Sequence, residues 1–308
     1  MENKLKNPVL LWLTAALCCL LWGSAFPFIK LGYEAFSISE NETASIILFA
    51  GVRFFLAGIL TILIFSLIRK KPLVPKKTAV KKIAVLSVFQ TVLQYIFFYL
   101  GLAYISGGKA SVINGSSVFF AIFISSLVFK NEKLKAVKII GSIIGFAGVV
   151  LVSVEGLRTG VSSFKGGAFI IVSSVSYAFS SNFIKLYSKD EDPAMLSGWQ
   201  FALGGAVMTA FGLIFGGRLE AQNVKGIAII IYLALVSAVA YTLWSLLLKY
   251  NEVSRVAVCS FMTPVFGYIL SSLLTDSEGG SIIISFASLL LVSIGIAIVN
   301  YSFKSEKK

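Results

Sequence analysis

Histidine is missing from all 308 residues, and only 14 acidic side chains stand against 27 lysines and arginines. The acids are Glu2, Glu34, Glu40, Glu42, Glu132, Glu155, Asp190, Glu191, Asp192, Glu220, Glu252, Asp276, Glu278 and Glu306. Each falls in a predicted loop or at a predicted helix end. A metal site, an acid–base pair and a nucleophilic triad all draw on residues that this chain does not place together. The expectation is therefore a non-enzyme with no catalytic residue, no metal and no cofactor. A proton relay through a bilayer also lacks its usual Asp, Glu or His at depth. Charged residues are scarce, at 13% against about 25% in a soluble domain. The three cysteines, Cys18, Cys19 and Cys259, sit in apolar stretches, and their odd number gives no disulfide framework. They read as small buried hydrophobes.

What the chain has instead is apolar length. Hydrophobic residues make up 57% of it, and the mean hydropathy is +0.90. Runs of about 20 apolar residues, the length that crosses a bilayer core, follow one another throughout. The pattern predicts an all-α integral membrane protein with ten transmembrane helices, at 9–31, 44–68, 83–104, 108–129, 136–154, 166–186, 194–216, 225–248, 255–275 and 280–303. The first resembles a secretion signal, but it is too long and lacks a small-residue cleavage site, so it reads as a retained span. The net charge of +13 lies in short loops rather than on one soluble face, which argues against nucleic acid as a partner. Twenty of the 27 basic residues fall on one side, among them Arg69, Lys70, Lys71, Lys76, Lys77, Lys81 and Lys82 in one connection. The other side carries Lys30, Lys109, Arg158, Lys165, Arg218 and Lys225. Basic loops stay in the cytoplasm, so both termini are expected there, in the cell (inner or plasma) membrane. Monomer and homodimer are equally compatible with these spans.

The chain also repeats itself. An ungapped offset of 146 pairs Lys109 with Arg255, Val112 with Val258, Ser125–Ser126 with Ser271–Ser272 and Glu132 with Glu278. The same offset pairs Tyr95 with Tyr241 and Tyr104 with Tyr250. An offset of 147 pairs Gly51, Phe54 and Gly58 with Gly198, Phe201 and Gly205. Two five-helix halves follow, 1–155 and 156–308. Five is odd, so the second half enters the membrane inverted, and a 5+5 inverted repeat places a site near the midplane.

Arg53 is the one charge near the middle of a span. Burying it costs roughly 2.5–3.5 kcal/mol on insertion scales, so it serves either as an anion anchor or as a lock onto another helix. Its repeat mate is Gln200. Gln90 and Gln94, spaced i, i+4, share a helical face, with Tyr95 and Tyr99 beside it. Asn114 and Ser117 on the fourth span match Ser260 and Thr263 on the ninth. Trp22, Tyr177, Trp199, Tyr241 and Trp244 add aromatic surface. Together these residues form either a polar cavity with aromatic walls, the makeup of a small-molecule site, or interhelical hydrogen bonds and interfacial belts. Gly141 and Gly145, and Gly212 and Gly216, form GxxxG pairs expected to pack helices closely. Pro27 and Pro264 are expected to interrupt the first and ninth spans, as hinges or as kinks.

Several short motifs, in order, carry a resemblance. Trp22-Gly23-Ser24-Ala25-Phe26 is followed by Lys30. Arg53-Phe54 lies in the second span, and Phe129-Lys130-Asn131-Glu132 ends the fourth. Thr263-Pro264-Val265 lies in the ninth span, with Gly148 and Gly295 further along the two halves. In these features the whole chain resembles the ten-helix EamA branch of the drug/metabolite transporter superfamily, departing from it at Asp276-Ser277-Glu278-Gly279-Gly280. The resemblance implies a carrier with a central cavity from helices 1–4 and 6–9 and with helices 5 and 10 peripheral. It also implies a small metabolite as cargo. Without a midspan carboxylate, organic cations are disfavoured. The resulting expectation is an alternating-access carrier for a small polar metabolite, amino acids or related carboxylate-bearing compounds favoured, working by export or exchange. Nucleobases, cofactors or aromatic solutes are the alternative cargo. A membrane enzyme or scaffold is the alternative of another class.

Overall fold

Polar caps start the helices. Asn7 Oδ1 accepts from the Val9 N–H at 2.9 Å, with Pro8 at the first helical position, and opens α1 (Pro8–Ala35). Asp192 Oδ1 accepts from Ala194 and Met195, and Pro193 starts α7 (Pro193–Ile214). Between them come α2 (Thr43–Arg69), α3 (Lys77–Tyr104), α4 (Gly107–Val128), α5 (Ala136–Thr159) and α6 (Val161–Tyr187). After α7 come α8 (Val224–Tyr250), α9 (Val253–Cys259), α10 (Met262–Leu274) and α11 (Ile282–Lys304). A computed structural model of the chain describes residues 7–130, 134–159, 161–220, 224–260, 262–275 and 281–304. Among these residues there is no strand. Seven helices are long and apolar enough to cross a membrane, and three shorter apolar helices accompany them. The motif residues Asn131 and Glu132, and the segment 276–280, lie outside the described residues.

The side chains are distributed as lipid requires. Leu67, Ile214 and Ile283 point apolar surface outward, while Arg53, Gln90, Gln94, Gln200 and many serines are buried. α2 runs along α7 and α5 along α11. α1 lies against α8 and α10, and α6 against α3 and α4. α2 also touches α8, and α3 touches α7. The α2–α7 contact is backbone against backbone. A Cβ on Gly58 would overlap Ala202, and one on Gly205 would overlap Phe55.

Several expectations need correction. Helix continues through Pro27 rather than ending there, because one missing N–H does not end a 28-residue helix packed on two neighbours. Pro264 sits in the first turn of α10, where the N–H that proline lacks is not needed. Gly216 does not pack; it follows α7 at φ +81° with no atom near its missing Cβ, the place of a helix-ending glycine. Lys109 is buried at the start of α4, where its backbone N–H donates to Ser106 Oγ at 3.1 Å. Helix continues to Thr159 and resumes at Val161, where a loop at 155–165 was expected. Two turns interrupt helices near the cavity: α4 turns at Gly115–Ser116, and α9 ends at Cys259 with Ser260 in a turn.

Candidate functional site

A cavity opens in the middle of the bundle, lined by α1, α2, α3, α4, α6, α8, α10 and the break before α10. Of the residues expected to form a site, Trp22, Arg53, Gln94, Tyr95, Asn114, Ser117, Tyr177, Tyr241 and Thr263 line it. Both breaks open onto it, through Asn114 and Gly115 on one side and Ser260 on the other. A broken helix frees backbone groups that only a cavity or protein neighbours can satisfy.

The remaining four lie elsewhere. Gln90 is buried one turn away from Gln94, in the π-helical stretch Ser87–Leu93, and does not line the cavity. Tyr99 is fully buried behind Arg53. Trp244 backs the wall, its ring edge-on to Trp22 at 4.9 Å. Trp199 is remote, donating from Nε1 to the Leu73 carbonyl at 2.6 Å. α7 supplies no lining residue; its Phe201 stacks on Phe54 at 5.2 Å and meets the lining residue Tyr241 edge-on at 5.0 Å from behind. Sequence reasoning missed Phe26 and Phe98. The available signal was helical spacing, Phe26 following Trp22 and Phe98 following Gln94 by one turn.

Arg53 is 2% exposed. Its Nε donates to the Leu233 carbonyl at 3.1 Å, Nη1 to the Tyr99 hydroxyl, and Nη2 to Ser237 Oγ at 3.0 Å. The guanidinium also lies 4.8 Å from the Phe54 ring centroid. No carboxylate pairs with it among the described residues. Three of its five N–H groups are thus used, and the charge remains uncompensated at the cavity wall. Across from it, Gln94 Nε2 donates to the Tyr241 hydroxyl at 3.0 Å, and the Tyr95 and Tyr241 hydroxyls bond each other. Three buried polar atoms of the lining have no partner: Trp22 Nε1, a donor, Gln94 Oε1, an acceptor, and Thr263 Oγ1, a hydroxyl that can do either. The cavity holds about 60 Å³. That suits several waters and falls below the roughly 300 Å³ at which ligand clefts begin.

Away from the cavity, Arg69 pairs with Asp192, and Lys82 with Glu191 at 3.1 Å and Asp190 at 3.5 Å. These pairs bring the α2–α3 and α6–α7 connections to one face of the bundle. Lys185 Nζ bonds the Asn251 carbonyl at that same end.

A many-spanned helical bundle around a polar, aromatic-walled cavity defines a multi-pass membrane protein. The profile of the EamA-like transporter family matches residues 9–154 and again 164–301, so the chain belongs to that family and is a membrane transporter. It is similar to two uncharacterized transporters of Archaeoglobus fulgidus. One is 28% identical over 85% of this chain and 89% of the relative, and the other 30% identical over 84% and 87%. It is also 25% identical to a chloroplastic WAT1-related protein of Arabidopsis thaliana, over 80% of this chain and 61% of that one. A crystal structure at 17% identity shares the fold, with a TM-score of 0.68 over 96% of this chain and 99% of that one.

Proposed function

We propose that the protein is an alternating-access carrier for a small polar, carboxylate-bearing metabolite, amino acids and their derivatives favoured. The observation that carries this is Arg53: a buried cation at the cavity wall, with N–H groups to spare and no carboxylate partner among the described residues. A buried charge demands compensation, and a substrate anion supplies it. Trp22 Nε1 and Gln94 Oε1 then serve the substrate's acceptor and donor groups. The aromatic walls favour a second cargo, nucleobases or aromatic solutes, because flat rings stack on them.

Alternating access is supported by how the helices pair. Exchanging each helix for its counterpart one half later turns α1 on α8 into α6 on α3, and α2 on α8 into α7 on α3, and all four pairs exist. The two family-profile segments and the two helix breaks at equivalent positions agree with halves at 1–155 and 156–308. The small cavity is then a contracted form that must open to admit cargo. The loop charges favour cytoplasmic termini and a plasma-membrane location.

The test is purified protein in liposomes with a panel of radiolabelled carboxylates, amino acids, nucleobases and organic cations. Saturable uptake of an anionic or zwitterionic solute, lost in Arg53→Ala, is expected. Uptake of organic cations alone would refute the proposal.

A further inference from the structure

Two hydrogen-bonded clusters inside the bundle are counterparts under the sequence offsets. Arg53 and Gln200 are separated by 147 residues, Thr91 and Ser237 by 146, and Ser87 and Leu233 by 146. Arg53 bonds Ser237 Oγ and the Leu233 carbonyl. Gln200 bonds the same two positions of the other half: its Oε1 accepts from Thr91 Oγ1, and its carbonyl accepts from Ser87 Oγ at 3.0 Å. Between the clusters lie two pairs of equivalent residues that meet each other, Phe54 with Phe201 and Tyr95 with Tyr241. These pairs mark the centre of the relation.

The clusters lie on opposite sides of that centre. On α8, Ser237 and Leu233 precede Tyr241 by four and eight residues, about 6 and 12 Å toward the end where α2 begins. On α3, Thr91 and Ser87 precede Tyr95 by the same spacing, toward the end where α2 finishes. Each cluster ties one of the paired helices α2 and α7 to a cavity helix of the other half. Chemically they differ: Arg53 is charged and lines the cavity, whereas Gln200 does neither.

We infer that the two clusters are opposed latches: Arg53–Ser237–Leu233 closes the cavity toward the end where α2 begins, and Gln200–Thr91–Ser87 closes it toward the other. The purpose of such latches rests on the carrier reading, but their existence does not. Because only the Arg53 latch faces the cavity, an anion bound there competes for the donors holding that one end shut.

The equivalent substitutions Ser237→Ala and Thr91→Val each remove one latch hydroxyl. A reporter, Asn114→Cys, is introduced at the cavity in a background with Cys18, Cys19 and Cys259 changed to alanine. Its labelling by a membrane-impermeant methanethiosulfonate is timed in right-side-out and in inside-out vesicles. Ser237→Ala should speed labelling about three- to tenfold from the side where α2 begins, as loss of one hydrogen bond allows. Thr91→Val should speed it from the opposite side. Ser237→Gly and Ser87→Ala are the second pair, used if either first variant fails to insert. Equal acceleration from both sides, or no change in inserted protein of unaltered melting temperature, would overturn the inference. The assay needs no substrate, so a failure to find transport leaves its outcome intact.

Discussion

At the scale of single residues, Arg53 carries two duties at once. It fastens α2 to α3 and α8 through three hydrogen bonds, and it presents uncompensated charge to the cavity. Lysine keeps the charge but has no planar fork. Arg53→Lys should therefore lower the melting temperature of the purified protein, by the loss of about 1–3 kcal/mol for donors and acceptors left unmade. A thermal-shift assay checks this, and an unchanged midpoint would mean that the three bonds contribute nothing. Gln94 is the contrast. Its one partner is Tyr241, and its Oε1 is unpaired. Gln94→Ala should leave the melting temperature nearly unchanged and weaken binding of whichever solute the liposome panel identifies, by about tenfold for a lost hydrogen bond in a buried site. Isothermal titration on the same samples separates the two effects. The sequence marked Arg53 as costly at depth, but it left anchor and lock as alternatives. The partners that join them lie on α3 and α8, far away in the chain.

At the scale of elements, the α2–α7 pair depends on the absence of side chains. Gly58→Val pushes a branched side chain into the Ala202 backbone. It should destabilise the protein by about 1–3 kcal/mol or more, as overpacking does, read as a lowered melting temperature and a reduced yield of inserted protein. Gly216→Asn should be tolerated, since nothing lies near its Cβ and asparagine accepts left-handed φ. A large loss at Gly216 with none at Gly58 would reverse this assignment. Helix existence was legible in the sequence, since 20-residue apolar runs have few other fates. The π-helical stretch at Ser87–Leu93 and the turn at Gly115 were not. They change the winding within a helix without changing its composition, so periodicity alone does not reveal them.

At the scale of the whole molecule, the ion pairs of Arg69 and Lys82 bring the α2–α3 and α6–α7 connections to one face, the face that the basic excess leads us to propose as cytoplasmic. Lys76→Cys in intact cells should resist an impermeant thiol reagent and react after lysis. Labelling from outside would invert the orientation. Transport should also proceed without a pH gradient, because no acidic residue among the described residues lines the cavity. Uphill uptake driven by a pH gradient alone and abolished by a single Asp or Glu substitution would contradict this.

By itself the sequence determined what depends on local composition and periodicity: that the chain is a bundle of membrane helices and which of its loops are basic. Solvation drives these properties, and each residue contributes to them wherever it folds. Tertiary structure alone decided which polar residues share a space. It brought Trp22, Arg53, Gln94 and Tyr241 to one cavity, sent Trp199 to Leu73, and set Gln200 against Thr91 as the counterpart of Arg53 against Ser237. A helix face is fixed by neighbours that approach from distant parts of the chain, and in lipid those approaches are set by packing and hydrogen bonds rather than by hydrophobicity.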